Sequence, residues 1–187
     1  DSTNHPALFM VDAISSLGCV EYQHDKWAVD VTISGSQKGL MLPPGLGLNA
    51  VSEKALEASK TASSRVSYWS WKEMIDNNQQ GVFPYTPATN LLYGLEEALK
   101  LLHGEGLSNV YARHSRLAKA TRIAVESWGL ENLCVVPEEF SDCLTAVVMP
   151  EGHNADNLRK IILEKFNMSL GTGLGEMKSA IFRIGHI

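Results

Sequence analysis

The chain has 187 residues, 44% hydrophobic and 20% charged, and its 16 basic and 21 acidic side chains leave a formal net charge of −5. That sign is wrong for steering toward phosphate, so composition excludes a general nucleic-acid binder or a protein held on an anionic membrane surface. No apolar run reaches the roughly 18 residues that a membrane-spanning helix needs, and no secretory leader is visible, so the protein reads as not secreted. Cys19, Cys134 and Cys143 lack CxxC spacing and read as reduced thiols of an intracellular protein, with no metal site expected. The length allows one or two domains.

Residues 1–6 are polar and begin abruptly, as a cut edge would. The apolar run Leu8-Phe9-Met10-Val11 ends in Asp12 and predicts a strand buried on both faces, as in a parallel sheet. Asp12 then stands at its carboxyl end, although an aspartate there also suits a helix cap or a turn. Ser15 to Gly18 predict a turn, and 20–27 cross back. Val29, Val31 and Ile33 alternate with Asp30 and Thr32, the period of a half-buried strand, which runs into the small polar loop Ser34-Gly35-Ser36-Gln37 and then Lys38. Gly39, Pro43-Pro44 and two further glycines continue neither a strand nor a helix.

Ligands of open α/β sheets bind outside the carboxyl ends of the strands, so Asp12 and Lys38 share one rim if their strands run parallel. A lysine amine attacks a carbonyl only when unprotonated, and a largely apolar setting favours that state. A lysine for the aldehyde and an acid for the ring nitrogen is the pairing pyridoxal phosphate requires. The competing reading is a solvated loop lysine.

Leu46 to Val51 predict another strand, with Ser52 as N-cap of a short helix over 53–60. Tyr68, Trp69 and Trp71 cluster ahead of a helical turn at 72–76. With no basic groove beside them they read as core or subunit-contact residues and not as a stacking platform for bases. Phe83-Pro84-Tyr85-Thr86-Pro87 predicts an extended piece. Thr89 is placed as the cap of a helix over 90–103 that Gly104 and Gly106 end. A long helix over 107–128 has an apolar stripe that includes His114, read as packed, and a solvated basic face of Arg113, Arg116, Lys119 and Arg122. Beyond Gly129, strands are expected at 134–136, 144–149, 169–170 and 181–184 with a helix at 156–166, a small α+β domain. Leu170-Gly171-Thr172-Gly173-Leu174-Gly175 lacks the spacing of a phosphate loop or a dinucleotide fingerprint and is read as letting the chain pass close to a substrate entrance. Arg183, alternating with apolar residues, is placed either to grip a carboxylate with two parallel hydrogen bonds or to face solvent.

Four runs in order, MVDAISSLG, ISGSQKGLMLPPGLG, FPYTPATNLLYGL and SLGTGLGEMKSAIFRIGHI, resemble the serine–glyoxylate and alanine–glyoxylate aminotransferases, class V, fold-type I pyridoxal-phosphate enzymes. The resemblance runs nearly end to end but corresponds to the carboxyl-terminal half of those proteins. It implies an α/β fold: residues 1–106 as the second half of a large, mostly parallel-sheet domain, and 107–187 as a small α+β domain. It implies a Schiff base between Lys38 and pyridoxal 5′-phosphate, with Asp12 holding the ring nitrogen and Gln37 at the phosphate or bracing the loop. Thr86 matches a phosphate-binding threonine that reaches the neighbouring subunit of a homodimer. Phe83 stands where some relatives carry tyrosine, which makes Tyr85 the candidate replacement. Arg183 is implied to bind the substrate α-carboxylate.

The implied reaction is ping-pong transamination of serine or alanine with glyoxylate, giving glycine and a 2-oxo acid, in the cytoplasm of a bacterium or the peroxisome of a eukaryote. Two rivals remain: a non-catalytic fragment that keeps the fold and the dimer contact, and a class V lyase such as a cysteine desulfurase, which needs a mobile cysteine.

Overall fold

A computed structural model describes residues 5–64 and 66–187, so the polar start of the chain lies largely outside the described residues. The chain divides into two compact units. One holds the chain up to Leu17 together with Tyr22–Leu101; the other holds Gly18–Glu21 and Leu102–Ile187. The division thus falls inside a helix and not at the glycine pair 104/106.

The first unit is built on a three-stranded sheet, β1 (Met10–Asp12), β2 (Val31–Gly35) and β3 (Gly47–Val51), in that spatial order. β1 and β2 run parallel with Asp12 opposite Ile33, and β3 is antiparallel to β2. Burial of the first two strands reverses the expectation from their patterns. β1 is the edge strand and leaves Leu8, Phe9 and Met10 exposed, so an apolar run that predicts burial on both faces is not covered in this unit. β2 is covered on both faces: Val29 and Val31 are buried on one, Asp30, Thr32, Ser34 and Ser36 on the other.

The polar face of β2 is buried because each of its groups is satisfied, which removes most of the cost of taking it out of water. Asp30 Oδ2 accepts from Phe9 N (2.8 Å) and Lys54 Nζ (3.1 Å), and Oδ1 accepts from Ser52 Oγ (2.8 Å). Thr32 Oγ1 lies 2.6 Å from Tyr22 Oη and 2.7 Å from His24 Nδ1. Ser34 Oγ donates to Ala13 O at 3.3 Å. The alternation of polar and apolar residues is therefore a period-two side-chain ladder inside the protein and not a solvated face.

Ser52 also caps α1 (Glu53–Ser59), accepting from Ala55 N. α2 (Trp71–Asn78) is capped by Ser70. Tyr68 and Trp69 just before it are 58% and 76% exposed, so they are not core residues of this unit. α3 (Thr89–Glu105) begins at Thr89 itself and keeps Gly104 within it. Gly106, at φ 85°, breaks the chain into α4 (Leu107–Ser127), as only glycine does without strain.

In the second unit, β4 (Glu131–Asn132), β5 (Leu144–Val148), β6 (Gly171–Thr172) and β7 (Ile181–Gly185) form an antiparallel sheet of order β4-β5-β7-β6. α4 and α5 (Ala155–Phe166) pack on it around Val125, Val147, Ala155, Leu170 and Phe182. Asn154 caps α5 and Asn167 closes it in the left-handed conformation, φ 50°. The strand expected at 134–136 lies earlier, at β4: the last pairing bond is Leu133 N to Ala146 O, and a 3-10 turn begins at Pro137. The strand expected at 169–170 is β6, because Leu170 is drawn into the core instead. The basic face of α4 is solvated only in part. Arg113 forms a bidentate pair with Glu105, while Arg122 donates to Ser141 O and lies over the Phe140 ring; Arg116 and Lys119 are exposed. Among the described residues no helix is long and apolar enough to cross a membrane.

Two outcomes follow for the complete protein. The Phe9 N–H first, then Ser52 and Lys54, hold the Asp30 carboxyl below the usual carboxylate value. The folded chain then binds fewer protons than the unfolded one in acid, so this stabilisation is fully present above pH about 4 and is lost as pH falls further. Asp30→Asn should lower the urea midpoint at pH 7, with the gap to the parent closing below pH about 4; a pH-independent gap would refute the assignment. A Cβ on Gly173 would lie 2.2 Å from Met177 O and 2.8 Å from Ile181 Cγ1. Gly173→Ala is therefore expected to destabilise by about 1–3 kcal/mol in the same urea titration, and an unchanged midpoint would contradict the packing.

Candidate active site

Lys38 leaves the carboxyl end of β2 at the tip of a loop that closes on itself. Ser36 N donates to Leu46 O (3.2 Å), and Leu42 N donates to Ser36 O (3.1 Å). The Ser36 hydroxyl, fully buried, donates to Pro43 O (2.8 Å) and accepts from Leu46 N (3.2 Å). One serine thus satisfies both limbs of the loop, while Met41 N donates to Lys38 O at 2.8 Å. Lys38 itself is exposed, between buried Ser36 and buried Gly39 and Leu40. The apolar enclosure expected around its amine is not formed by this unit, because the buried groups beside it support the loop from beneath and do not cover its tip. Among the described residues its Nζ makes no hydrogen bond or ion pair.

Gln37 is also exposed, and its side chain folds back over the strand end: a Cβ on Gly35 would meet Gln37 Oε1 at 2.7 Å. The bare backbone at Gly35 is what allows that fold. Asp12 ends the neighbouring parallel strand. Its Oδ1 accepts from Ile14 N at 2.9 Å, so the turn role considered for it is real and compatible with an exposed carboxylate at the rim. Parallel pairing therefore brings Asp12 and the Lys38 loop to the same edge of the sheet.

Thr86 and Tyr85 are exposed and lie elsewhere in the unit, along a cavity of about 610 Å³ that β3, α2 and the start of α3 also line. Tyr85 packs on Tyr68 with ring centroids 4.9 Å apart. Neither Lys38 nor Asp12 lines this cavity, so the chain does not bring these two pairs into one pocket.

Arg183 belongs to the second unit, on β7 opposite Ala146 of β5 and Gly171 of β6. Its Nε donates to Thr172 O at 2.6 Å, which fixes the plane of the guanidinium. Gly171 makes room for it: a Cβ there would lie 3.1 Å from Arg183 Cβ and 3.3 Å from Nε. The glycine-rich run thus sets the arginine against its strand neighbour. His186 holds the end of β7. Its Nδ1–H donates to Asp142 O (3.1 Å), leaving Nε2 to accept from Thr145 Oγ1 (3.0 Å), and burial lowers its pKa. His114, buried as the stripe predicts, has Nδ1 3.3 Å from His186 O. Asp30, Ser36 and His186 carry no role in the sequence reading. Only the period-two run Asp30, Thr32, Ser34, Ser36 offered a signal, and hydropathy alone reads it as solvated.

The sequence profile of the family described as Aminotransferase class-V matches residues 2–178. Over its full length the chain is 47% identical to the serine–glyoxylate aminotransferase of Hyphomicrobium methylovorum and 42% identical to the L-aspartate–glyoxylate aminotransferase of Paracoccus denitrificans, covering 47% of each. The crystal structure of pyridoxamine–pyruvate aminotransferase from Mesorhizobium loti superposes with a TM-score of 0.90 at 33% identity, over 97% of this chain and 47% of that one. The chain therefore spans about half the length of the curated relatives it matches. With a profile match that covers nearly every residue and an α/β architecture shared with a solved aminotransferase, the chain belongs to the class-V aminotransferase family.

Proposed function

We propose that the complete protein is a pyridoxal-5′-phosphate-dependent aminotransferase that moves the amino group of serine or alanine to glyoxylate, giving glycine and a 2-oxo acid by a ping-pong route. The observation that carries this reading is the parallel pairing of β1 and β2, with an acid at the end of one strand and, beyond the end of the other, an exposed lysine that has no hydrogen bond or ion pair among the described residues. Family membership supports the cofactor. Both curated relatives named above carry glyoxylate in their names, which supports the acceptor, and the one of higher identity carries serine.

The residues present suit that cofactor: an exposed amine on a loop braced from below, and an exposed carboxylate on the same rim. When bound, pyridoxal phosphate supplies an electron sink for the charge that develops at the amino acid's Cα. The Lys38 amine would hold the cofactor through its aldehyde and, when free, would serve as the general base and acid that takes and returns the substrate's Cα proton. Asp12 would be the group to hold the ring nitrogen, its negative charge favouring the protonated form. Arg183, its Nε already committed to Thr172 O, offers its remaining N–H groups to the substrate α-carboxylate. Thr86 and Tyr85 would hold the phosphate end of the site in the neighbouring subunit of a homodimer, and Gln37 would hold the phosphate or brace the loop. A desulfurase chemistry needs a thiolate on a mobile loop: Cys19 and Cys143 are buried, the hydrogen bond to Cys143 together with burial pushes the Cys19 thiol up, and the half-buried Cys134 sits in the short connection between β4 and the 3-10 turn at Pro137, its Sγ 3.6 Å from Val136 O.

In the complete protein, borohydride reduction after incubation with pyridoxal phosphate should fix the cofactor on the Lys38 peptide, and Lys38→Ala should abolish that mass addition. An addition that survives the substitution would sink the assignment. Arg183→Ala should lower kcat/KM for amino-acid and oxo-acid substrates alike, by roughly 2–5 kcal/mol. Arg183→Lys should recover little, since an ammonium cannot reproduce the two parallel bonds; equal turnover by Arg183→Ala and parent at low substrate would exclude the role.

A further inference from the structure

The loop that carries Lys38 is seated on α3 by two contacts in which a glycine of one partner receives a leucine of the other. A Cβ built on Gly94, in the middle of α3, would lie 2.5 Å from Cδ2 of Leu42, and one built on Gly45 would lie 2.5 Å from Cδ1 of Leu91. Apolar carbons pack at about 3.5–4.0 Å, so even an alanine at either position requires its partner to move by about 1 Å. Glycine inside a helix is unfavourable relative to alanine. At position 94 the approach of Leu42 gives it a packing reason.

The backbone of Leu42 is tied into the loop that carries Lys38. Its N–H donates to Ser36 O (3.1 Å), the next residue back donates to Lys38 O (2.8 Å), and Ser36 Oγ binds Pro43 O (2.8 Å) on its other side. Rotation of the leucine side chain can relieve a clash at Gly94, but it gives up the seat on α3, and the hydrogen-bonded loop that carries Lys38 loses that anchor with it. α3 begins three residues after Thr86, so the same helix is the footing of the Lys38 loop and of the segment that carries Thr86.

We propose that Gly94 and Leu42 are positioning residues: their contact sets the height and direction at which the Lys38 amine leaves the sheet rim to meet the cofactor aldehyde. This rests on the reading of Lys38 as the cofactor lysine. The contact acts through geometry alone, since neither side chain has a polar group.

The test is a double-substitution cycle in the complete protein, with Gly94→Ala, Leu42→Ala and both together. The readouts are the rate at which Lys38 captures pyridoxal phosphate, fixed by borohydride and counted on the Lys38 peptide, and the pH at which capture is half maximal. An ångström of misplacement is expected to slow capture by about tenfold or more in each single variant and to shift its pH midpoint. In the double variant the methyl group added to α3 occupies part of the space the leucine vacated, so capture should be faster than the product of the two single effects by several-fold. Leu42→Ala keeps the measurement informative should Gly94→Ala fail to fold, because it removes a loop side chain without adding a clash. Parental capture rate and pH midpoint in either single variant, or single effects that simply multiply in the double, would overturn the inference while leaving the Lys38 reading intact. Capture at another residue in the parent would overturn both.

Discussion

The first unit depends on one buried carboxylate. Asp30 stands at the entrance of β2 and takes hydrogen bonds from the backbone just before β1, from the residue that caps α1 and from a lysine within α1. Its own backbone adds to this: Asp30 N donates to Phe9 O and Ser52 N donates to Asp30 O, each at 2.8 Å. A carboxylate taken out of water is costly unless its lone pairs are filled, and here three donors fill them, one from just before β1 and two from the start of α1. The requirement for all three at once specifies how the lower ends of β1, β2 and β3 meet.

The upper end of the same sheet is where the chemistry is proposed, and it is organised differently. Parallel pairing sets the strand ends side by side, Ser36 closes the loop beyond β2, and α3 supports that loop through glycine–leucine contacts. The residues proposed to react are exposed, whereas Ser36, which braces the loop between them and the sheet, is buried. Such a division suits a site that must receive a cofactor and substrates without rearranging its foundation. Arg183 in the second unit follows the same logic, exposed enough to bind an anion yet fixed in plane by a backbone carbonyl and given room by Gly171.

The candidate site is legible in the sequence to an uneven degree. Lys38 and Asp12 stand out because each ends a strand-length apolar or alternating run, a pattern that strand geometry translates directly into a position on the sheet rim. The long helices α3, α4 and α5 follow from their 3.6-residue apolar period and from glycine and asparagine at their ends. The end of pairing before 134–136 and the partial cover of the basic face of α4 escape such a reading because both depend on partners far along the chain. Ala146 decides where pairing stops, and Glu105, Phe140 and Ser141 decide which arginines leave solvent.

By itself the sequence determined the order of elements, the two positions on the rim and, through its ordered motifs, the family. Those follow from local periodicity and from residue types whose chemistry does not depend on neighbours. Only the tertiary structure decided that the polar face of β2 is interior, that β1 runs exposed along its edge, and that a helix glycine sits beneath the lysine loop. Burial is a property of what lies across from a side chain, and hydropathy along one strand carries no record of the donors and leucines that other segments bring to it.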